Sequence, residues 1–243
     1  MLIFFYIMKL NHVQRKEKKF LKVGIIRFPC SNCDFDTLHF FQKFNHKAEF
    51  VWHKETHLKP FDLLVLPGGF AFGDRVYKKA TGKYILDPGT QALNSPVMVA
   101  IYQAAKKDLP ILGICNGFQI LVKAGLLPGV LKQNKSKQFF CDWTTCEIMG
   151  NSFFNDKSLL HQTFKIPVAH GYGRYDISQR EYQELERNGQ IFLKFKNSNP
   201  NGSTKNIAGV SNKKGTIFGL MPHPERTSNG KYFMRAIEKY IYG

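Results

Sequence analysis

A cysteine bracketed by glycines, Gly113-Ile-Cys115-Asn-Gly117, closes a short apolar run and opens a stretch of helical periodicity. A nucleophile held on a sharp strand-to-helix turn needs that spacing, because side chains two positions away on either side would collide. The turn lifts the sulfur off the end of a sheet, and the dipole of the following helix favours thiolate over thiol. The backbone N–H of Asn116 is then placed to bind an oxyanion. A thiolate nucleophile also requires a proton carrier, and Met221-Pro-His223-Pro-Glu225-Arg supplies one. Residues two apart in an extended segment project to the same side, so Glu225 can fix the tautomer of His223 while the imidazole moves the proton. Together these groups follow the logic of a catalytic triad with Cys in place of Ser. The bland alternatives are a structural cysteine beside coincidental glycines and a surface histidine beside a glutamate.

The other cysteines carry a weaker signal. Cys30-Ser-Asn-Cys33 is a C-x-x-C after a strand, readable as a redox pair or, with Cys141 and Cys146, as a four-thiolate zinc site. The second pair has a wider spacing and a chain this long needs no zinc to fold, so no metal is assigned. Gly82-Lys83 is followed by Tyr84 and lacks the earlier glycine of a nucleotide-binding P-loop. His12, His39, His46, His53, His57 and His161 sit in no chemical pattern and are read as surface or packing residues.

Elements must bring Cys115 and His223 together. Strand-like apolar runs fall at 22–28, 48–52, 62–69 and 110–115, with helical spacing at 34–44, 96–108 and 116–124 between them. Strands alternating with helices predict an α/β fold with an open, mostly parallel sheet. Beyond residue 125 the texture turns to strands at 139–149, 166–169, 191–195 and 216–221, separated by turn clusters such as Asn199-Pro-Asn-Gly202, and a last helix covers 230–240. No repeat or linker divides the chain, so residues 21–243 are expected to form one domain behind a mobile extension over residues 1–20.

The 243 residues are 43% hydrophobic and 22% charged, which excludes disorder and a disulfide-stapled miniprotein. The net charge of +17 would attract anionic partners. Its lysines are dispersed, however, and the denser runs at 15–19 and 132–137 lack interleaved aromatics, which argues against nucleic acid. Five cysteines, an odd number in a chain of this size, point to a reducing compartment and hence a cytoplasmic location. The apolar opening Met1–Met8 is too short to span a bilayer, so no membrane association is expected.

Gly-Ile-Cys115-Asn-Gly-Phe-Gln119 with Pro-His223-Pro-Glu225-Arg resembles the triad (class I) glutamine amidotransferases, whose fold is flavodoxin-like. Five further stretches narrow the resemblance to the glutaminase subunits of phosphoribosylformylglycinamidine synthase. They are Arg27-Phe-Pro-Cys-Ser-Asn-Cys-Asp34, Leu66-Pro-Gly-Gly-Phe-Ala-Phe-Gly-Asp74, Ala124-Gly-Leu-Leu-Pro-Gly129, Ala169-His-Gly-Tyr-Gly-Arg174 and Asn199-Pro-Asn-Gly-Ser203. The resemblance implies that the chain hydrolyses glutamine and passes ammonia to a large ATP-using synthetase subunit in purine biosynthesis, and it leaves open a small third subunit. ATP and Mg are implied on that partner, with no cofactor in this chain. Catalysis is implied for Cys115, His223 and Glu225, a second oxyanion N–H for Gly69, and glutamine binding for Gly68, Gly69, Asn116, Gln119, His170 and Gly171. The alternatives are another Cys-His-Glu hydrolase, such as a γ-glutamyl hydrolase, or a basic binding protein on an inactive scaffold. The chain departs from the pattern at Cys30, where glycine is expected, at Tyr172, where glutamate is expected, and in a longer loop over 75–95. These departures lie outside the triad and point to altered docking or ligand gating.

Overall fold

The computed structural model describes residues 20–150, 153–154 and 156–243; the extension expected over the first residues lies outside them as far as residue 19. The chain begins with Lys22–Arg27 (β1), Asp34–Lys43 (α1), Lys47–Trp52 (β2) and Leu63–Leu66 (β3), followed by a hairpin of Arg75–Lys78 (β4) and Tyr84–Leu86 (β5). Val97–Lys106 (α2), Ile111–Ile114 (β6), Asn116–Lys123 (α3) and Val130–Lys132 (β7) come next. The second half holds Phe140–Ile148 (β8), Thr163–His170 (β9), Arg174–Asp176 (β10), Gln179–Arg187 (α4), Ile191–Lys196 (β11), Ile207–Ser211 (β12), Ile217–Leu220 (β13) and Gly230–Tyr242 (α5).

Nine strands pair in the order β2-β1-β3-β6-β13-β12-β11-β8-β9. The half from β2 to β13 is parallel and the half from β13 to β9 is antiparallel. The open α/β sheet flanked by helices is therefore present, with its parallel part at the end that carries Cys115. β3, β6 and β13 are buried along their whole length, as expected of apolar strands covered on both faces. Their burial explains why they read as unbroken apolar runs. An aromatic cluster packs the antiparallel half: the rings of Phe153 and Phe218 lie 4.4 Å apart and those of Phe154 and Phe233 5.2 Å apart.

The hairpin β4–β5, the small β7–β10 sheet, strand β12 and helix α4 were not anticipated from the sequence. α4 is polar apart from Tyr182 and Leu185, its buried positions, and is started by a capping box between Ser178 and Glu181. No helix among the described residues is long and apolar enough to cross a membrane.

Candidate active site

Cys115 follows β6 directly and takes φ 50°, ψ −104°, a conformation costly for a residue with a side chain, before α3 begins at Asn116. The flanking glycines let the turn close. A Cβ on Gly113 would fall 2.7 Å from the carbonyl carbon of Gly117, and a Cβ on Gly117 only 1.9 Å from the Leu66 oxygen of β3. The Cys115 N–H donates to the Leu220 carbonyl at 2.8 Å, tying the turn to the end of β13. The thiol is almost buried, with its sulfur 3.7 Å from the Ala169 oxygen at the end of β9.

Because β13 runs parallel to β6 as its neighbour, the chain leaves both strands at the same edge of the sheet. His223 emerges there, its backbone N–H donating to Pro167 at 2.9 Å. Its Nδ1–H donates to Glu225 Oε1 at 2.7 Å, and both side chains are buried. Burial would pull the imidazole down, but the Glu225 carboxylate and the Cys115 sulfur outweigh it and hold the His223 pKa well above its ordinary value. Nε2 has no hydrogen-bond partner and is free to take a proton. His170 is the opposite case: burial, with the charge on His223, pushes it down to about 4, so it stays neutral.

β3 flanks β6 on its other side and delivers Gly68 and Gly69. Gly69 has φ 140°, and a Cβ there would meet the Asn32 nitrogen at 2.5 Å and the Cys30 oxygen at 2.7 Å. Gly68 packs on the His223 ring, where a Cβ would lie 2.7 Å from Cε1. The Asn116 side chain clips this loop to α3: Oδ1 accepts from the Ala71 N–H at 3.0 Å, and Nδ2 donates to Asp74 Oδ1 at 3.0 Å and to Gln119 Oε1 at 2.8 Å. Gln119 Nε2 in turn donates to the Tyr172 carbonyl at 2.8 Å. As the first residue of α3, Asn116 also presents a backbone N–H that the helix cannot satisfy.

A cavity of about 480 Å³ opens over the sulfur. Of the residues singled out in the sequence, Cys115, Gly69, Gln119, His170 and Gly171 line it. Gly68, Asn116, His223 and Glu225 lie behind that wall and support it. Sequence reasoning passed over Asp74, Arg75 and Phe139, which also line the cavity, and Asn134, whose side chain donates to the His170 carbonyl at 2.8 Å and accepts from the Gly173 N–H at 3.0 Å. Asp74 was visible as the acidic residue ending the glycine-rich motif; Asn134 left no signal. Asn201 and Ser203 brace the same loop, Asn201 Nδ2 donating to the Gly173 carbonyl at 2.7 Å. Of the three departures, Tyr172 and the longer loop reach the cavity and Cys30 does not line it. Cys30 holds φ 66°, which is why glycine is expected there, and its carbonyl accepts from Phe70. Tyr172 lines the cavity, as do Leu86 and Pro88 of the longer loop.

The four cysteines considered for zinc do not form a ligand group. Among the described residues the metal-ligating atoms that come together belong to Cys33, His223 and Glu225, all within 4.8 Å. The histidine and glutamate of that group already bond to each other, with the Cys33 thiol beside them.

A thiol on a strand-to-helix turn and a buried imidazole–carboxylate pair thus stand at one edge of the parallel half of an α/β sheet, the arrangement of the class I glutamine amidotransferase fold. The CobB/CobQ-like glutamine amidotransferase domain matches residues 21–239, and the chain belongs to that family. Two subunits named phosphoribosylformylglycinamidine synthase subunit PurQ are among its relatives. The one from Aquifex aeolicus is 42% identical over 218 residues, covering 86% of this chain and 92% of the relative. The one from Wolinella succinogenes is 41% identical over 208 residues, covering 85% and 91%. A chain in the structure of PurLQS from Thermotoga maritima superposes with a TM-score of 0.79 at 34% identity, over 92% of this chain and all of that one.

Proposed function

We propose that this chain hydrolyses glutamine to glutamate and ammonia at Cys115 and supplies the ammonia to a separate synthetase that makes phosphoribosylformylglycinamidine in purine biosynthesis. The observation that carries the chemistry is Cys115 on its strained turn, backed by the 2.7 Å His223–Glu225 pair. The kinship with PurQ subunits carries the pathway and the partner, a large ATP-using synthetase.

Cys115 gives its proton to Nε2 of His223, and the thiolate attacks the glutamine carboxamide carbon. Charge that develops on the carbonyl oxygen is taken by the amides of Gly69 and Asn116. Collapse of the tetrahedral species breaks the C–N bond as His223 protonates the departing ammonia, leaving a γ-glutamyl thioester. His223 then takes a proton from water, the hydroxide attacks the thioester, and glutamate leaves as the thiol is restored. The raised His223 pKa suits this cycle, because the imidazolium formed in each half is favoured by Glu225. Gln119, His170 and Gly171 shape the glutamine site, with Gly68 and Asn116 holding its wall.

This chemistry needs no cofactor in the chain; ATP and Mg belong to the synthetase. Residues 21–243 act as one amidotransferase domain. The five free cysteines suit a reducing compartment, and we place the protein in the cytoplasm. The deciding experiment measures glutamine- and ammonium-driven synthesis by the complex carrying Cys115→Ala. The first should vanish and the second survive; full glutamine turnover by the variant would overturn the assignment.

A further inference from the structure

Cys33 is a buried thiol to which the proposed cycle gives no task. It ends the Cys30-Ser-Asn-Cys33 motif, caps the N-terminal end of α1 and is 5% exposed. Its backbone is fixed from two sides. The N–H donates to the Gly68 carbonyl at 3.2 Å, and the carbonyl accepts from the Thr37 N–H at 3.0 Å and from Thr37 Oγ1 at 2.9 Å. The segment that carries His223 and Glu225 is tied to the same helix, since Arg226 Nε donates to Asp36 Oδ2 at 2.7 Å. Two separate anchors thus hold the start of α1 against the His223–Glu225 pair.

The result is a three-membered cluster: the Cys33 sulfur, a ring nitrogen of His223 and a carboxylate oxygen of Glu225 all lie within 4.8 Å of one another. A Cβ on Gly68 would meet the Cys33 sulfur at 3.1 Å and the His223 ring at 2.7 Å, so sulfur and ring border the same bare backbone position. Glu225 has an oxygen to spare. Oε1 accepts from His223 Nδ1 at 2.7 Å, while Oε2 is sealed from solvent and takes no hydrogen bond. A buried carboxylate oxygen left in that state is costly, and the S–H of Cys33 is a weak donor within reach of the pair. The sulfur also acts on the ring: burial pulls the His223 pKa down, and Glu225, Cys115 and then Cys33 raise it.

We infer that Cys33 is a positioning residue, its thiol holding the Glu225 carboxylate and the His223 ring in register for proton transfer at Cys115. The inference rests on the glutaminase reading above and adds to the Cys-His-Glu triad a supporting thiol that does not meet the substrate; Cys33 is absent from the lining of the cavity. A group acting in this way changes how well the proton moves and not how well glutamine binds, so its loss is read in kcat. Because it works through Glu225, its effect disappears once that carboxylate is gone.

The test measures glutamine turnover by the full chain in complex with its synthetase. Cys33→Ala should lower kcat by about 10- to 30-fold and leave KM within about twofold of wild type. Cys33→Ser, which restores a donor, should return kcat to within about threefold of wild type. Placed on Glu225→Gln, Cys33→Ala should cost less than about twofold beyond the loss that Glu225→Gln already shows. Ammonium-driven synthesis reports that each variant still folds and docks, and Cys33→Val, which fills the space without a donor, gives the same reading should the smaller side chain fail to fold. A Cys33→Ala or Cys33→Val complex working at the wild-type rate would overturn the inference. So would a Cys33→Ser complex as slow as Cys33→Ala, which would reduce the sulfur to packing, or losses at Cys33 and Glu225 that multiply in full. A wild-type complex that turns over no glutamine would overturn the glutaminase reading itself.

Discussion

His223 and Glu225 form a buried hydrogen-bonded pair, and in the mechanism proposed above the carboxylate orients the imidazole while the imidazole moves the protons. Removing the worker should cost more than loosening its support. His223→Ala is expected to lower glutamine turnover by about 10⁴-fold or more, and Glu225→Gln, which leaves an imidazole with a poorer partner, by about 10²-fold. Single-turnover thioester formation separates the two, and a His223→Ala chain working at the wild-type rate would move the proton carrier elsewhere. Asp74 yields a second prediction from its raised pKa. Burial is the main cause, opposed by the hydrogen bonds from Asn116 and Gly89 and helped by Asp87, and the carboxyl is pushed up to about 6 from 3.8. The folded state therefore binds the proton more tightly than the unfolded chain, so the associated stability is complete below about pH 3.8 and is lost as pH rises through about 6. Asp74→Asn should consequently be more stable than wild type by about 2–3 kcal/mol near neutral pH, with the gain gone by about pH 4. Urea melts across that range check the sign. The triad was legible because glycine brackets and a proline-stiffened His-x-Glu are local patterns. Asp74 showed only as the last residue of a glycine-rich motif, because its burial and its place in the cavity come from residues far along the chain.

At the scale of elements, the elbow depends on α3 lying closely against β3. Gly117 is where they touch, and a Cβ there would lie 1.9 Å from the Leu66 oxygen, which cannot swing aside as a flexible side chain would. Gly117→Ala should therefore cost about 3 kcal/mol or more and should impair thioester formation even in the fraction that folds. Melting temperature and active-site titration read the two effects separately. Helix α4 is a milder case: Ser178 accepts from the Glu181 N–H and Glu181 returns the bond, so Ser178→Ala should cost about 1 kcal/mol and leave glutamine turnover untouched. The central strands were legible because each is apolar on both faces. α4 escaped because a helix that buries only Tyr182 and Leu185 has too little apolar stripe to show a period. Short strands such as β7 and β10 have three residues each and owe their pairing to each other rather than to any pattern of their own.

For the whole molecule, the net charge of +17 should assist association with the synthetase, so the association rate should fall as salt rises while the bound-state turnover stays constant. A stopped-flow salt series checks this, and a salt-independent rate would leave the basic surface without a part in docking. Glutamine hydrolysis should also be slow for the chain alone and rise when the synthetase saturates it, because free ammonia would be wasted; an unchanged turnover number with bound synthetase would exclude activation. What depends on neighbours in the chain was determined by the sequence alone: a glycine-bracketed cysteine at a strand-to-helix turn, a histidine two residues from a glutamate, apolar strands alternating with helices, and kinship with glutamine amidotransferases. The tertiary structure decided what depends on neighbours in space. Parallel pairing of β3, β6 and β13 set three loops at one edge, bringing Gly69, Cys115 and His223 together. The same pairing left Asp74 as the one carboxylate lining the cavity. The reason is physical: periodicity and turn chemistry act over a few residues and leave a mark in the sequence, whereas the distance between two loops is fixed by strand order, which no local run of residues records.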